Sequence, residues 1–248
     1  MINIIDLHKK YYEKHILKGI NLPIKSGKTT TIIGSSGCGK STLLRLILGL
    51  EKFDSGEIYI DEKPISDLQE EELNEFRLNF GMVFQSGALF DSMTVGENVG
   101  IMLKEHYKLP YSNIRKIVKE KLDMVGLADT IDAMPASLSG GMQKRVAFAR
   151  AIAHNPKFLL YDEPTTGLDP ITSTIIEKLI NKLAVTLNVT SIVVTHQIST
   201  ILNTSKKIVM IHDGKILKAK GSKKIMNSKN TIIHNFVNGL VTERNENL

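Results

Sequence analysis

Nine residues, Gly34, Ser35, Ser36, Gly37, Cys38, Gly39, Lys40, Ser41 and Thr42, read GSSGCGKST. An apolar, β-branched run from Thr29 to Ile33 precedes them, and a helical pattern with Leu43, Ile47 and Leu50 on one face follows. That is the strand–loop–helix setting in which backbone amides and a helix N-terminus cradle phosphate. The glycines let the amides curl around an anion, Lys40 brings a compact cation to the β and γ phosphates, and Ser41 offers its hydroxyl to Mg2+. Cys38 stands beside Lys40 and the helix start, the setting of a reactive thiol, although a small filler is the preferred reading.

Such a loop needs acids and a water-handling group. At Phe158 the chain reads FLLYDEP, an apolar strand ending in two carboxylates. Asp162 is placed to hold the ion through its shell, and Glu163 to orient or deprotonate an attacking water. His196 follows the apolar run Ser191 to Thr195, at the strand edge where ligands bind in open α/β sheets, and is expected to touch the γ-phosphate. Gln85 follows FGMVF, and its amide is a candidate for the Mg2+ or water shell.

A second anion-seeking end lies in SLSGGMQ, ahead of the helix formers KRVAFARAIA. Ser139, Gly140 and Gly141 there expose backbone amides at a positive dipole end, or form an ordinary cap. ATP has one terminal phosphate, so the second end is expected to serve the nucleotide of another copy, which implies a homodimer closed by ATP.

The elements that must position these residues alternate. Strand-like runs recur at Ile2 to Leu7, Thr29 to Ile33, Glu57 to Ile60, Phe80 to Phe84, Phe158 to Asp162, Ser191 to Thr195 and Lys207 to His212. Helical periodicity fills Ser41 to Leu50, Asn113 to Val125 and Ile171 to Leu187, the last with Ile175, Leu179, Leu183 and Leu187 on one face. This pattern favours an α/β core with a largely parallel sheet. The first 25 residues and Gly56 to Lys63 read as short antiparallel strands, and Ser86 to Pro135 as a helical insertion. No linker or repeat divides the 248 residues, so one domain is expected, with a C-terminal helix and tail from about 228 and a frayed end, VTERNENL.

Apolar residues make up 42% and charged residues 23%, which argues against disorder and coiled coil. A single cysteine excludes an intrachain disulfide. Net charge is +6, but only six basic residues are Arg and none of the basic runs is interleaved with aromatics, so nucleic acid is not an expected partner. Neither a bilayer span nor a secretory leader is legible, so a cytoplasmic address is expected.

Taken together, GSSGCGKST, Gln85, LSGGM, YDEP, TGLDP and His196, in this order and spacing, resemble the ATP-binding subunits of ABC transporters over nearly the whole chain. The resemblance implies a P-loop NTPase (RecA-like) α/β core with an antiparallel β sub-lobe and a helical insertion at about 86–135. It makes Ser139, Gly140 and Gly141 a signature acting in trans, and puts Gly167 to Asp169 at the dimer seam; Asp169 also reads as an N-cap ahead of Pro170. It stacks adenine on an aromatic before the second strand, Tyr11 in preference to Tyr12. Met142 and Gln197 depart from frequent family choices, and the second leaves open how His196 is braced.

Within the family, QSGALFDSMTVGENV, KEHYKLP and IIHNFVNGL resemble the ATPases of Mla-type phospholipid transporters. That implies a membrane permease of the MlaE type docked around Gln85 to Tyr107, an MlaD-type lipid-binding protein, a small regulatory subunit, and a peripheral place on the cytoplasmic face of the inner membrane. The tail helix, with Ile232, Ile233, Phe236, Val237 and Leu240 on one face, is expected either to cross the dimer or to pack on its own core. The competing readings are a small-solute importer subunit, a soluble ABC ATPase acting on nucleic acid, and a small-molecule kinase.

Overall fold

The computed structural model describes residues 1–219 and 221–240; the tail expected to fray, 241–248, lies outside them. In chain order the elements are β1 (Ile2–Tyr11), β2 (Lys14–Ile24), β3 (Thr29–Ile33), α1 (Lys40–Ile47), β4 (Ser55–Ile60), β5 (Lys63–Pro64), α2 (Glu70–Arg77), β6 (Phe80–Val83), α3 (Val95–Glu105) and α4 (Tyr111–Met124). They continue with α5 (Gly140–Ile152), β7 (Phe158–Asp162), α6 (Pro170–Thr186), β8 (Thr190–Thr195), α7 (Ile198–Thr204), β9 (Lys207–His212), β10 (Lys215–Lys218), α8 (Ser222–Ile225) and α9 (Thr231–Asn238). Two compact units share the chain: Met1–Leu73 with the segment from Ile192 onward, and Asn74–Ser191.

In the first unit an antiparallel sheet runs β2-β1-β4-β5. Its long strands alternate, with Ile2 and Ile4 of β1 and Ile20, Leu22 and Ile24 of β2 turned inward. A register shift between Ile4 and Leu7, where Asp6 adopts φ 45°, keeps Leu7 inward as well. A second set of strands runs β10-β9-β3-β8. Here β3 pairs parallel with β9, and every residue of β3 is buried, as a strand covered on both faces requires.

One expected helix limit and one expected helix face change here. α1 stops at Ile47 because Gly49, at φ 62°, turns the chain and the Leu50 amide donates back to the Arg45 carbonyl at 2.9 Å. Leu50 is therefore half exposed and does not share the face of Leu43 and Ile47. In α9 the expected face splits: Ile233 and Val237 pack with Ile33, Ile208 and Met210 of their own core, while Ile232 and Leu240 stay partly exposed.

The second unit is built on β6 and β7, paired parallel from Phe80 opposite Phe158 to Val83 opposite Tyr161, with the two phenylalanine rings stacked at 4.9 Å. α5 lies directly on β6, because Gly81 has no side chain: a Cβ there would stand 2.0 Å from the Ala151 carbonyl oxygen. From 84 to 157 the described residues form helices and loops without a strand. α3 begins with a capping box in which the Thr94 hydroxyl and the Glu97 carboxylate each accept the other's backbone amide. α6 buries Ile176, Leu179, Ile180 and Leu183, so Ile175 faces outward, contrary to the expected stripe. Apolar residues stand side by side at Ile175–Ile176 and Leu179–Ile180, so periodicity alone admits both stripes.

Candidate active site

The phosphate loop leaves the end of β3 in the first unit and enters α1 without a side-chain cap. Gly39 adopts φ 103°, and a Cβ there would lie 2.8 Å from side-chain atoms of both Ile16 and Leu17, so only glycine fits. Lys40 is buried, and its ammonium donates to the carbonyls of Gly34 at 3.0 Å and Ser35 at 3.1 Å, which folds the loop around the cation. Ser35, Ser36 and Gly37 are exposed at the mouth; Cys38 is half-buried. Thr42 is buried inside the first turn of α1.

His196 follows β8, the strand next to β3, and is exposed. Gln197 after it donates its amide to the Thr195 hydroxyl at 3.0 Å, which sets the turn into α7. Tyr11 ends β1. Its hydroxyl donates to the Glu51 carboxylate, which also pairs with Arg45 at 2.6 Å, and the Lys9 ammonium lies 5.0 Å from the centre of its ring. Tyr12, the neighbour, is fully exposed in the turn at φ 51°. The ring preferred from sequence is thus the anchored one.

In the second unit the parallel register sets Val83 level with Tyr161, so Gln85 and the Asp162–Glu163 pair leave the same edge. Glu163 is buried and held at φ 48°, a left-handed backbone that is costly for a side chain of its size. The Thr166 hydroxyl lies 3.4 Å from a Glu163 carboxylate oxygen, and the Thr166 amide donates to the Glu163 carbonyl at 3.2 Å. The segment after β7 therefore closes on Glu163.

α5 starts at Gly140 with Ser139 as N-cap, its hydroxyl accepting the Met142 amide at 3.3 Å. Gly140 is open: a Cβ would meet nothing within 4 Å. At Gly141 a Cβ would lie 2.5 Å from the Thr172 methyl. Thr172 is itself held by Asp169, whose carboxylate accepts the amides of Ile171 at 2.9 Å and Thr172 at 3.0 Å. Those bonds, together with one from the Thr172 hydroxyl that acts most strongly, hold the Asp169 carboxyl below its ordinary range. The N-cap reading of Asp169 is realised, and it places this acid beside the glycine pair.

Sequence reasoning missed two cations on α5. The buried Lys144 donates its ammonium to the Gln85 carbonyl, and Arg150 donates to the carbonyls of Gly87 at 2.7 Å and Ala88 at 2.6 Å. Burial pushes the Lys144 ammonium below its usual range, and the Asp162 carboxylate pulls it back up. The signal was present: Lys144 shares a helical stripe with Gly141, Phe148 and Ala151, where a cation is costly without a partner.

A family model described as ABC transporter matches residues 17–166, more than half of the chain. The chain belongs to the ABC transporter ATP-binding family. The cassette is an ATP-hydrolysing transporter subunit and binds ATP. It is similar to the intermembrane phospholipid transport system ATP-binding protein MlaF of Haemophilus influenzae, with 41% identity over 96% of this chain and 90% of the relative. It is also similar to the methionine import ATP-binding protein MetN of Clostridioides difficile, with 38% identity over 91% of this chain and 70% of the relative. Among solved structures, a dimeric post-hydrolysis state of the cassette MJ0796 bound to ADP and Pi superposes with a TM-score of 0.79 at 37% identity, covering 89% of this chain and 100% of that one. The α/β fold expected from the sequence is that of these cassettes. Among the described residues no helix is long and apolar enough to cross a membrane.

Proposed function

We propose that two copies of the cassette close on ATP, hydrolyse it at two composite sites and thereby drive a separate permease that moves phospholipid. One observation carries the two-copy reading: the Ser139–Gly140 helix end is exposed, and a Cβ on Gly140 would meet nothing within 4 Å. Such an end attracts phosphate. The same chain already has a closed cradle at Gly34 to Thr42, so the open end serves the nucleotide of the facing copy. The dimeric form of the MJ0796 cassette supports this arrangement.

In each site the loop amides and Lys40 hold the β and γ phosphates, His196 contacts the γ-phosphate, and Tyr11 stacks on adenine. Glu163 orients or deprotonates the water that attacks phosphorus. It does so from a left-handed backbone beside Asp162, and the two adjacent acids take separate tasks. Asp169 holds the dimer seam through Thr172.

Mg2+ fits the donor set. The Ser41 hydroxyl, the Gln85 amide oxygen and the Asp162 carboxylate are the hard oxygen donors that this ion takes. When bound, the ion neutralises charge on the β and γ oxygens.

Phospholipid is the substrate class supported by the MlaF relative, whose similarity runs over 90% of its length, against 70% for the methionine-import relative. The partners are then a permease of the MlaE type, an MlaD-type lipid-binding protein and a small regulatory subunit, with the cassette on the cytoplasmic face of the inner membrane. A cleft of about 230 Å3 between α3 and α4, lined by Gly96, Gly100 and Tyr111 and bordered by the Arg115–Asp132 pair, supports docking of the permease on the helical insertion. Mass spectrometry of the complex extracted from membranes in detergent tests the reading. An MlaE-like permease and co-purifying phospholipid are expected; an amino-acid permease without lipid would point to the importer reading instead.

A further inference from the structure

The loop after β6 carries Gln85 and then turns through two left-handed residues, Gly87 at φ 79° and Ala88 at φ 49°. This turn brings several of its carbonyls to α5. Three of them, on Gln85, Gly87 and Ala88, accept from just two side chains of that helix, Lys144 and Arg150. Bonds from charged donors to half-buried carbonyls are stronger than ordinary amide bonds. Arg150 grips the outer part of the turn. Lys144 is different, because it is buried, it holds the one carbonyl that belongs to Gln85 itself, and it lies in the field of the Asp162 carboxylate.

A buried ammonium is costly unless it is paired. Methionine or leucine would fill the same stripe on α5 without that cost. The stripe reaches the edge of β6 and β7 from which Gln85 and the Asp162–Glu163 pair emerge, and α5 is pressed onto β6 at Gly81. The charge therefore stands where a main-chain acceptor and a carboxylate converge.

We propose that Lys144 is a positioning residue of the hydrolytic site, its ammonium tying the main chain of Gln85 to α5. The inference rests on the roles given above to Gln85 and Asp162. Lys144 does not touch nucleotide. It fixes the loop that presents the Gln85 amide, and it links that loop to the helix that begins at the Ser139 cap. Together with Arg150 it joins the loop to the helix that carries the open end.

The test uses Lys144→Met and Lys144→Arg in the full chain. Hydrogen exchange of the segment 84–90, measured without nucleotide, is expected to quicken about fivefold or more in Lys144→Met and to return to the wild-type rate in Lys144→Arg. In steady-state ATPase assays the Met variant is expected to lose about tenfold in kcat with KM for ATP within about twofold, and the Arg variant to recover most of it. Unchanged exchange in 84–90 would overturn the positioning role. Faster exchange with wild-type kcat would show that Lys144 holds the loop but that Gln85 and Asp162 lie outside the hydrolytic site, which defeats the functional reading separately. If Lys144→Met does not accumulate as folded protein, Lys144→Gln removes the charge while keeping a donor, and wild-type exchange and turnover in that variant would equally overturn the proposal.

Discussion

Two helix N-termini in this chain solve the same electrostatic problem in opposite ways. At α1 the loop is closed on itself: Lys40 is buried and bonded to two loop carbonyls, and Gly39 is hemmed in by Ile16 and Leu17. At α5 the cap is a single serine, and Gly140 beside it faces open space. Both ends offer amides and a positive dipole. Only the first supplies its own cation and walls. The difference teaches that the first is a cradle complete in one chain, whereas the second is a surface that acquires its purpose from what is brought against it.

The largest effect that sharpens this contrast is at Glu163. Glu163→Gln keeps the shape of both helix ends and removes the group that handles water, so kcat is expected to fall by about a thousandfold or more while ATP affinity, followed with a fluorescent analogue, stays near wild type. Wild-type turnover would assign the base elsewhere.

Alanine at the two glycines separates the ends themselves. Gly39→Ala imposes a strained φ and drives a methyl into Ile16 and Leu17, so denaturant unfolding is expected to show a loss of about 2 kcal/mol or more. Gly140→Ala meets no neighbour, so stability should stay within about 0.5 kcal/mol while turnover falls about a hundredfold as the methyl blocks approach to the amides. Equal destabilisation by both substitutions would erase the distinction.

The smallest effect is on the acid that steadies Gly141 through Thr172. The hydrogen bonds from Thr172 and Ile171 hold the Asp169 carboxyl below its ordinary value of 3.8. Its contribution to stability is therefore full above that value and lost as pH falls below it through the lower folded pKa. The melting temperature of Asp169→Ala should lie a few degrees under wild type near neutrality, and the gap should narrow in thermal scans as pH falls below about 4. A gap independent of pH would show that the cap does not depend on the carboxylate.

Legibility in the sequence followed the physics of each feature. The cradle was readable because glycine spacing, a preceding β-branched run and a following amphipathic helix all point to one geometry, and β3 and α1 lie where they must. α2 went unseen because EEELNEFR is short and offers only Leu73 and Phe76 as an apolar face, neither of them fully buried. The α6 stripe was shifted because the adjacent apolar pairs Ile175–Ile176 and Leu179–Ile180 fit two neighbouring stripes equally well. Of the site, the strand-end acids were plain, but their setting was not. The left-handed backbone at Glu163 is a local strain that composition does not announce, and the grip of Lys144 and Arg150 on residues 85–88 depends on pairings across 59 to 63 positions, which no local pattern encodes.

Sedimentation of the Glu163→Gln chain with and without ATP, repeated with Ser139→Arg added, tests the central claim most directly. The account predicts a dimer with ATP, a monomer without it, and a monomer that still binds ATP when arginine replaces Ser139. An ATP-bound dimer indifferent to that replacement, or an ATP-bound Glu163→Gln chain that stays monomeric at all concentrations, would contradict it.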